Sequence, residues 1–534
     1  MGMDGSGSHG GGAARYLVLV GAVVVQLILG TVYGYSIFWQ PLTSDVFPAV
    51  VTEVERDAMA GRGEDVSTSV VVADERERDR RVAVQQGYLK YAFSICILSF
   101  AVVMVIAGRI QDVTGPRFPA LIGAALMGGG FLIAGLMSHS IVFFLTHAAF
   151  AGAVAIVLLM LQHALFARLD PEQLPIVRYV PMGIVVATVV GGVVLGNQYV
   201  GRSGEMDKLF VLWGTIGFLA GAGIGFAYVC PIAALVKWFP RHKGLVSGIA
   251  VAGFGFGAYL FKGRTLGALG FIETHGVQSF FLVHALVCFV GVSIGAMLLR
   301  NPPAADARPA TTGGAVPAES TWQDTLRRPA FYVLWLMFFS GAMAGLMVIG
   351  IVKVFAGEQL VDAAESAGAA LASGEVSDLL LAGAAAVGWL AIFNAVGRVV
   401  WGFASDHIGR TTAFVAMFVF QAVMMFLLAG MKTEASLAVA ASIVGFNFGG
   451  NFALFPSATA DLFGAKNLGA NYGWVFTSYG IAGVVGIAAG NTAKAITGSY
   501  AVAFMVAGVL CLLSAGLAVG LAVASRRAAV ASAA

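Results

Sequence analysis

The chain has 534 residues and a net charge of +3, and 59% of its residues are hydrophobic while only 11% are charged. An ordinary soluble protein is about 45–50% apolar and about 25% charged, so this composition excludes a soluble, disordered, collagen-like or disulfide-scaffold protein. The near-balanced charge also lacks the basic excess of a nucleic-acid-binding protein. The composition therefore predicts a chain whose outer surface faces lipid.

The N-terminal segment 1–14 is rich in Gly and Ser, which predicts a disordered cytoplasmic leader. The apolar run that follows is too long for the core of a signal peptide and lacks a clear small-residue cleavage site, so we interpret it as an uncleaved helix. Apolar runs long enough to cross a hydrocarbon layer of about 30 Å recur along the chain. Spanning segments must satisfy their own backbone hydrogen bonds, so these runs are expected to be helices. We place fourteen spans near residues 16–39, 88–110, 117–137, 140–166, 177–199, 209–236, 244–263, 278–299, 330–354, 378–402, 411–430, 436–457, 470–492 and 498–524.

Two polar stretches divide the chain. Residues 43–86 hold ten acidic and six basic side chains and predict an outer insertion, whereas residues 300–329 have the Pro-, Ala- and Thr-rich composition of a linker. The predicted domains are therefore an N-terminal bundle, a cytoplasmic linker, a C-terminal bundle and a cytoplasmic tail, at 15–299, 300–329, 330–525 and 526–534. The N-terminal bundle includes the insertion and an extra pair of spans at 140–199.

Lys and Arg in the loops give the expected orientation. With the N-terminus inside, the inner loops and ends hold sixteen of them and the short outer loops about seven. Cytoplasmic loops carry the excess of these residues, so both termini and the linker are predicted to be cytoplasmic. We expect a multi-pass protein of the cell (inner) membrane.

A repeat relates the two predicted bundles. The segments GRIQDVTGPR and GFASDHIGR each end a span, and their Asp residues lie 294 positions apart. Each predicts a tight inner turn whose Asp pairs with Arg or lies at the N-terminus of a neighbouring helix. A plain charged loop would explain one copy, but not two copies at matched positions. The residues of the two turns are Gly108, Asp112, Gly115 and Arg117, and Gly402, Asp406, Gly409 and Arg410.

These turns resemble the inner-loop motif of the major facilitator superfamily. Three longer stretches are similar to the oxalate/formate antiporter family within it: GAGIGFAYVCPIAALVKWFPRHKGLVSGIAVAGFGFGAYLF at 221–261, NAVGRVVWGFASDHIGR at 394–410 and FGGNFALFPSATADLFGAKNLGANYG at 448–473. The resemblance implies an all-α fold of two six-helix bundles. The leader, the 43–86 insertion and two extra spans between the family's third and fourth helices depart from its pattern.

Arg398 is the strongest candidate for a binding residue. It lies inside an apolar span, and Asn394 lies one turn before it on the same helical face. A charge at mid-membrane costs about 2.5–3.5 kcal/mol on insertion scales, so it needs an aqueous cavity or a partner. The guanidinium suits a carboxylate. Its position alone leaves an anion site and an Arg that snorkels or pairs with a structural acid equally open, but it matches the family's substrate-binding arginine.

The resemblance also implies the rest of the pocket. In the family's oxalate carrier a lysine lies in the eleventh helix, and the matching position here is Tyr479. A dianion would then meet one formal positive charge, and an unpaired second carboxylate in a low-dielectric cavity costs several kcal/mol. We therefore expect a monocarboxylate. The family's aromatic pocket positions, several of which are Phe here, are Tyr33, Tyr228, Phe254, Phe448, Phe452 and Phe476.

Other sequence features indicate no further chemistry. We expect His147, His163 and His284 to be packed or interfacial histidines rather than proton relays, and no Asp or Glu lies in mid-span. The Gly-rich segment 253–261 follows no strand, so it predicts helix packing rather than a phosphate loop. We find no metal-ligand cluster or catalytic grouping, and we expect neither an enzyme nor a cofactor.

The sequence thus predicts a secondary transporter that moves small carboxylates such as formate or lactate across the bilayer by alternating access. The expected partners are lipid, the carboxylate, and a co-transported proton or an exchanged anion, with no nucleic acid; we expect a monomer. Two alternatives stay open. One is an oxalate:formate antiporter in which a second cation, with Lys353 as the candidate, completes the site. The other is a non-transporting membrane sensor on a carrier scaffold.

Overall fold

The computed structural model of the chain describes residues 9–137, 204–261, 268–303, 319–368 and 373–533. Between 137 and 204 it describes only isolated positions from 183 to 191, so the spans placed near 140–166 and 177–199, and with them His147 and His163, lie outside the described residues.

The N-terminal half is a set of helices with one small strand pair. A 3-10 helix, Gly30–Phe38, follows the first helix, and a π-helix, Trp213–Ala220, joins α6 to α7. The helices are α1 (His9–Leu29), α2 (Trp39–Val46), α3 (Glu53–Gly61), α4 (Glu75–Thr114), α5 (Arg117–Gly135), α6 (Gly204–Leu212), α7 (Gly221–Trp238), α8 (Lys243–Phe261) and α9 (Ala268–Leu298).

The C-terminal half is helical throughout its described part. A short helix precedes its first long one, and a second short helix stands before the helix that carries Arg398. The helices are α10 (Trp322–Arg327), α11 (Pro329–Ser366), α12 (Ser373–Ala382), α13 (Ala384–Ile408), α14 (Arg410–Leu428), α15 (Glu434–Phe463), α16 (Leu468–Thr497) and α17 (Ala501–Ala533).

Eleven helical segments in the described ranges are long and apolar enough to cross a membrane, and Lys243–Gly257 is a shorter apolar helix. These twelve segments coincide with the twelve predicted spans that lie outside the gap. The prediction of an all-α membrane protein built of two helical halves is confirmed.

The polar segment 43–86 is folded, and its strands were not predicted. Val50–Thr52 and Val70–Val72 form a parallel pair, in which Val50 stands opposite Val70. The helix α3 begins with a capping box, since the Thr52 hydroxyl accepts from Glu55 N–H and the Glu55 carboxylate accepts from Thr52 N–H. The helix α4 has 40 residues and is about 60 Å long at about 1.5 Å per residue, twice the hydrocarbon thickness. Its polar first turns therefore project from the membrane and carry the insertion.

The most extensive contacts between the two halves are those of α4 with α16 and of α8 with α13. A Cβ on Gly108 would lie 2.0 Å from the Gly469 carbonyl oxygen, and a Cβ on Gly402 would lie 2.3 Å from the Gly244 carbonyl oxygen. Lipid supplies no hydrophobic drive for pairing membrane helices, so close backbone packing at small residues provides it. The glycines thus bring the two halves into backbone contact at equivalent places.

Candidate functional site

Arg398 lies where the two halves meet, and its side chain is 0% exposed. It projects from α13 of the C-terminal half towards α8 of the N-terminal half, where a Cβ on Gly248 would lie 2.2 Å from the Arg398 carbonyl oxygen. A Cβ on Gly255 would lie 3.3 Å from the Arg398 Nε. Glycines on α8 therefore leave the space that the arginine occupies.

Two oxygen acceptors hold the guanidinium. Nε donates to Asn394 Oδ1 at 3.2 Å, and Nη1 donates to the Val251 carbonyl oxygen at 2.6 Å. The sequence predicted that Asn394 and Arg398 share one face of the helix, and in the structure their side chains are in direct contact. The Val251 carbonyl was not foreseen, because a backbone acceptor on another helix leaves no mark in the sequence.

The guanidinium keeps an unused donor. Nη2 is buried and has no hydrogen-bond partner in the described part of the chain, and no acidic side chain there forms an ion pair with Arg398. Its carbon Cζ lies 4.4 Å from the centre of the Phe452 ring and 5.7 Å from that of Phe254. Cation–π contacts stabilise a desolvated guanidinium by about 2 kcal/mol, which does not replace the lost water. The arrangement fits an anionic ligand.

Aromatic side chains from both halves surround this group. The ring centres of Tyr33 and Phe254 are 5.0 Å apart, those of Tyr228 and Phe476 are 5.4 Å apart, and those of Phe452 and Tyr479 are 5.3 Å apart. The rings of Tyr228, Phe254, Phe452, Phe476 and Tyr479 are each at most 1% exposed. The structure thus brings together rings that the sequence distributes over 447 positions.

Tyr479 links the two halves through its hydroxyl group. Its oxygen lies 2.7 Å from the hydroxyl oxygen of Tyr33, in a hydrogen bond that either group can donate. Because two hydroxyls that share one hydrogen bond leave one hydrogen free, the pair still offers a donor. The pair lies close enough to Arg398 to interact with its charge.

Phe448 takes a different position from the other predicted aromatics. It contacts Phe452 with ring centres 5.2 Å apart, and a Cβ on Gly345 would lie 2.2 Å from one of its ring carbons. It packs between α15 and α11, behind the ring that covers Arg398.

Two aromatic members of the group were missed. Phe100 lies 4.9 Å from Tyr228 and 4.8 Å from Phe476 between ring centres, and Phe338 lies 5.7 Å from Phe476. The sequence held no signal for Phe100, which looks like any apolar residue of a membrane helix. Other aromatic residues lie close to Phe338 in the sequence, so the sequence did not show which of them face the pocket.

The two predicted inner turns occupy equivalent positions. Gly115 with φ of 84° follows α4, and Gly409 with φ of 85° follows α13, a backbone conformation that favours glycine. Asp112 accepts from the N–H groups of Gly469 and Ala470 at 3.1 and 2.8 Å. The carboxylate therefore lies at the N-terminus of α16, where the helix dipole favours a negative charge.

Asp406 makes the matching contacts in the other pair of helices. It accepts from the N–H groups of Gly244 and Leu245 at 3.0 and 2.8 Å, at the N-terminus of α8. Arg410 lies 2.8 Å from Asp406 and 2.9 Å from Asp461, which in turn lies 2.7 Å from Lys243. Ion pairs and hydrogen bonds to carboxylates therefore connect the two halves at this end of the molecule.

The arginines of the two turns differ. Arg410 pairs with the Asp of its own turn, whereas Arg117 donates through Nε to the Leu299 carbonyl oxygen at 2.7 Å. Asp112 instead has Lys237 at 4.0 Å. The sequence predicted that each aspartate either pairs with an arginine or lies at a helix N-terminus. Asp406 does both, since it contacts the N-terminus of α8 and Arg410.

Two other candidates stand apart from the buried group. Lys353 is exposed, so it does not complete a two-cation site in this conformation. His284 is 3% exposed, and its Nε2 lies 3.2 Å from the Thr31 hydroxyl oxygen and 3.2 Å from the Cys288 sulfur. It packs inside the N-terminal half.

A helical membrane protein of two halves with a buried cation between them has the architecture of a membrane transporter. The family model of the Major Facilitator Superfamily matches residues 177–391 and 365–534. The chain belongs to this superfamily, as its motifs indicated.

Relatives and solved structures agree with that assignment. An oxalate:formate antiporter of Oxalobacter formigenes is 29% identical over 297 residues, which are 55% of this chain and 65% of the relative. Apicoplast pyruvate carrier 1 of Toxoplasma gondii is 28% identical over 346 residues, which are 54% of this chain and 61% of the relative. The matched part spans less than two thirds of either relative.

The fold is shared with more distant transporters. The proton:xylose symporter XylE, in its structure bound to 6-bromo-6-deoxy-D-glucose, superposes with a TM-score of 0.54 at 14% identity, over 94% of this chain and 95% of that chain. At this identity the similarity shows the fold alone.

Proposed function

We propose that this transporter is a secondary carrier of small carboxylates, with Arg398 as the cation that binds the anion. One observation carries the proposal: a fully buried guanidinium with no acidic partner among the described residues, whose Nη2 makes no hydrogen bond of ordinary geometry there. A buried charge without a partner costs several kcal/mol, and a carboxylate offers two charge-assisted acceptors.

A monocarboxylate such as formate or lactate fits this site better than a dianion. In the described ranges Arg398 is the only buried Lys or Arg, and the hydroxyl of Tyr479 stands where the family's oxalate carrier has a lysine. A single guanidinium neutralises a single carboxylate. The second charge of oxalate would be left desolvated, which costs several kcal/mol.

Alternating access gives the buried site a route to both sides. With Asp112 and Asp406 bound to helix N-termini of the opposite half, the inner ends of the bundles are held together in this conformation. Opening on that side requires these bonds to break. A bound anion that neutralises Arg398 lowers the cost of carrying the guanidinium through the closed state.

The two relatives support a carboxylate substrate. One is named for the exchange of oxalate and formate, and the other is named as a pyruvate carrier. The turns with Asp112 and Asp406 belong with the predicted cytoplasmic side, so we place both termini in the cytoplasm. We propose the cell membrane as its location and a monomer as its working unit.

A proteoliposome uptake panel tests the proposal. The purified chain is supplied with labelled formate, lactate, pyruvate and oxalate, with and without a pH gradient. Arg398→Gln is compared with Arg109→Gln, which makes the same change at an exposed arginine. We expect uptake of a monocarboxylate by the unmodified chain and by Arg109→Gln, and loss of at least 90% in Arg398→Gln.

Three results would contradict the proposal, each differently. Normal uptake by Arg398→Gln would remove Arg398 from the site. Counterflow of oxalate faster than that of lactate would favour an oxalate:formate antiporter. Saturable binding of a carboxylate without flux would favour a membrane sensor.

A further inference from the structure

Two tyrosine hydroxyls near Arg398 have no hydrogen-bond partner. Tyr228 on α7 and Tyr472 on α16 are both 0% exposed, and neither hydroxyl is paired in the described part of the chain. Leaving a buried hydroxyl unpaired costs about 1–3 kcal/mol relative to a paired one. A phenylalanine at either place would remove that cost and keep the ring packing.

The two tyrosines belong to one cluster. Both rings contact Phe476, with centre distances of 5.4 Å for Tyr228 and 5.6 Å for Tyr472. The ring of Tyr228 also lies 5.2 Å from that of Phe254, which stands over the Arg398 guanidinium. The two tyrosines come from opposite halves of the molecule, since α7 and α16 lie on either side of the linker.

The depth of Tyr472 follows from the matched aspartate contacts. Asp406 binds Leu245 N–H on α8, and the guanidinium bonds to Val251, six residues further along that helix. Asp112 binds Ala470 N–H on α16, and Tyr472 is only two residues further along. At about 1.5 Å per residue, Tyr472 stands about 6 Å closer to the inner end than the guanidinium does. Helical side chains also tilt towards the N-terminus, which here is the inner end.

We propose that Tyr472, together with Tyr228, forms an inner binding station that holds the carboxylate after it leaves Arg398 and before it reaches the inner side. The inference rests on the proposed function and adds a residue and a direction to it. Two O–H donors from opposite halves converge on one carboxylate group. When the halves separate at the inner end, the two donors move apart, and the anion stays on Tyr472 until it leaves to the inner side.

Neutral donors suit such a station. A hydroxyl binds a carboxylate through a charge-assisted bond without adding positive charge of its own. The anion is therefore held strongly enough to leave Arg398 but weakly enough to dissociate. A second cation at this depth would retain the anion and slow its release.

Transport measured separately from each side tests the station. Tyr472→Phe removes one oxygen and keeps the ring, and Tyr35→Phe is the matched control, because Tyr35 is 2% exposed and donates to the Leu89 carbonyl oxygen at 3.4 Å. In sided proteoliposomes we expect the KM for carboxylate entering from the inner face to rise about 5- to 20-fold in Tyr472→Phe. The KM from the outer face should stay within about twofold of that of the unmodified chain, as in the control. A purely structural role would change both faces together or reduce the amount of folded protein.

Tyr228→Phe provides a second, independent variant if Tyr472→Phe folds poorly. It should raise the inner-face KM and, because Tyr228 also lies in the aromatic group around Arg398, the outer-face KM as well. The double variant should cost less than the sum of the two, because both hydroxyls bind one carboxylate. An inner-face KM that is unchanged in both variants would overturn the inference while the proposed function stands. No carboxylate flux in the unmodified chain would overturn both.

Discussion

Asp112 and Asp406 hold the two halves of the molecule together in the same way, 294 positions apart in the chain. Each lies near the end of a helix in one half and accepts two backbone N–H bonds from the first turn of a helix in the other half. A carboxylate at a helix N-terminus is stabilised by about 0.3–1 kcal/mol, and by up to about 2 kcal/mol when partly buried. The two contacts therefore favour the conformation that is closed at this end.

The first prediction concerns this closure. Asp112→Asn removes the negative charge at the N-terminus of α16 and should shift the population towards the conformation open at the inner side. Labelling of Met104→Cys by a membrane-impermeant maleimide added inside measures the shift, because Met104 is 0% exposed and lies against α16 at Gly473. We expect labelling to become about 3- to 10-fold faster, which corresponds to about 0.7–1.4 kcal/mol.

A paired control separates charge from general damage. Asp406→Asn should act in the same direction, whereas Asp362→Asn changes an exposed carboxylate of α11 and should leave the labelling rate unaltered. Equal labelling rates of Met104→Cys with and without Asp112→Asn would show that the aspartate does not hold this end closed.

The second prediction concerns the backbone contact beside Arg398. A Cβ on Gly248 would lie 2.2 Å from the Arg398 carbonyl oxygen, so Gly248→Ala must push α8 and α13 apart. Overpacking of this kind costs about 1–3 kcal/mol, and it displaces the guanidinium from the Val251 carbonyl. We expect a thermal midpoint lower by several degrees and carboxylate uptake below a tenth of that of the unmodified chain.

Gly388 offers the matched control on the same helix as Arg398. No atom lies within 4 Å of a Cβ built there, so Gly388→Ala should keep both the midpoint and the uptake. Alanine is favoured over glycine in a helix by about 1 kcal/mol, so a small rise of the midpoint is expected. Similar losses of midpoint and uptake in Gly248→Ala and Gly388→Ala would mean that the contact beside Arg398 does not cause them.

Much of this architecture could be read from the sequence, because each feature leaves a local mark. Membrane helices need long apolar runs, and the inner turns need glycine at positive φ together with an aspartate in phase with the helix. Arg398 was visible because a charge inside an apolar run is costly enough to require an aqueous cavity or a partner. The twelve spans in the described ranges were found for these reasons.

The features that were missed have no local mark. The Val251 carbonyl that binds Arg398 is a backbone group, and Phe100 and Phe338 look like any apolar residue of a membrane helix. The strand pair of the insertion is three residues long on each side, too short for a periodic pattern. Tyr472 was not singled out, because an unpaired hydroxyl can be recognised only when all its neighbours are known.

The third prediction concerns the insertion. The N–H of Thr52, with further bonds from the Thr52 hydroxyl and Arg78, holds the pKa of Glu55 below its ordinary value. A carboxyl with a lowered pKa in the folded state adds stability above its ordinary pKa of about 4.3, and this stability is lost as the pH falls. Hydrogen exchange of the α3 amides, corrected for the intrinsic rate, should therefore show protection that declines between about pH 5 and pH 3.

Substitution of single carboxyl groups shows which of them causes this pH dependence. Glu55→Gln should flatten this pH dependence, whereas Glu53→Gln, at an exposed position in the same turn, should leave it in place. A decline of the same size in Glu55→Gln would assign it to another carboxyl of the insertion.

The fourth prediction concerns charge selectivity. Tyr479 is 0% exposed, lies 2.7 Å from Tyr33 between hydroxyl oxygens, and interacts with the charge of Arg398. Tyr479→Lys would place a second cation in the aromatic group, and this cation compensates the second carboxylate of a dianion while it repels Arg398 in the empty site. The ratio of oxalate to lactate uptake should therefore rise at least tenfold, with slower uptake of lactate itself. Tyr479→Phe is the control for the loss of the hydroxyl and should leave the ratio within about threefold of that of the unmodified chain. If Tyr479→Lys folds and transports with an unchanged ratio, the preference for a monocarboxylate does not come from the number of cations in the site.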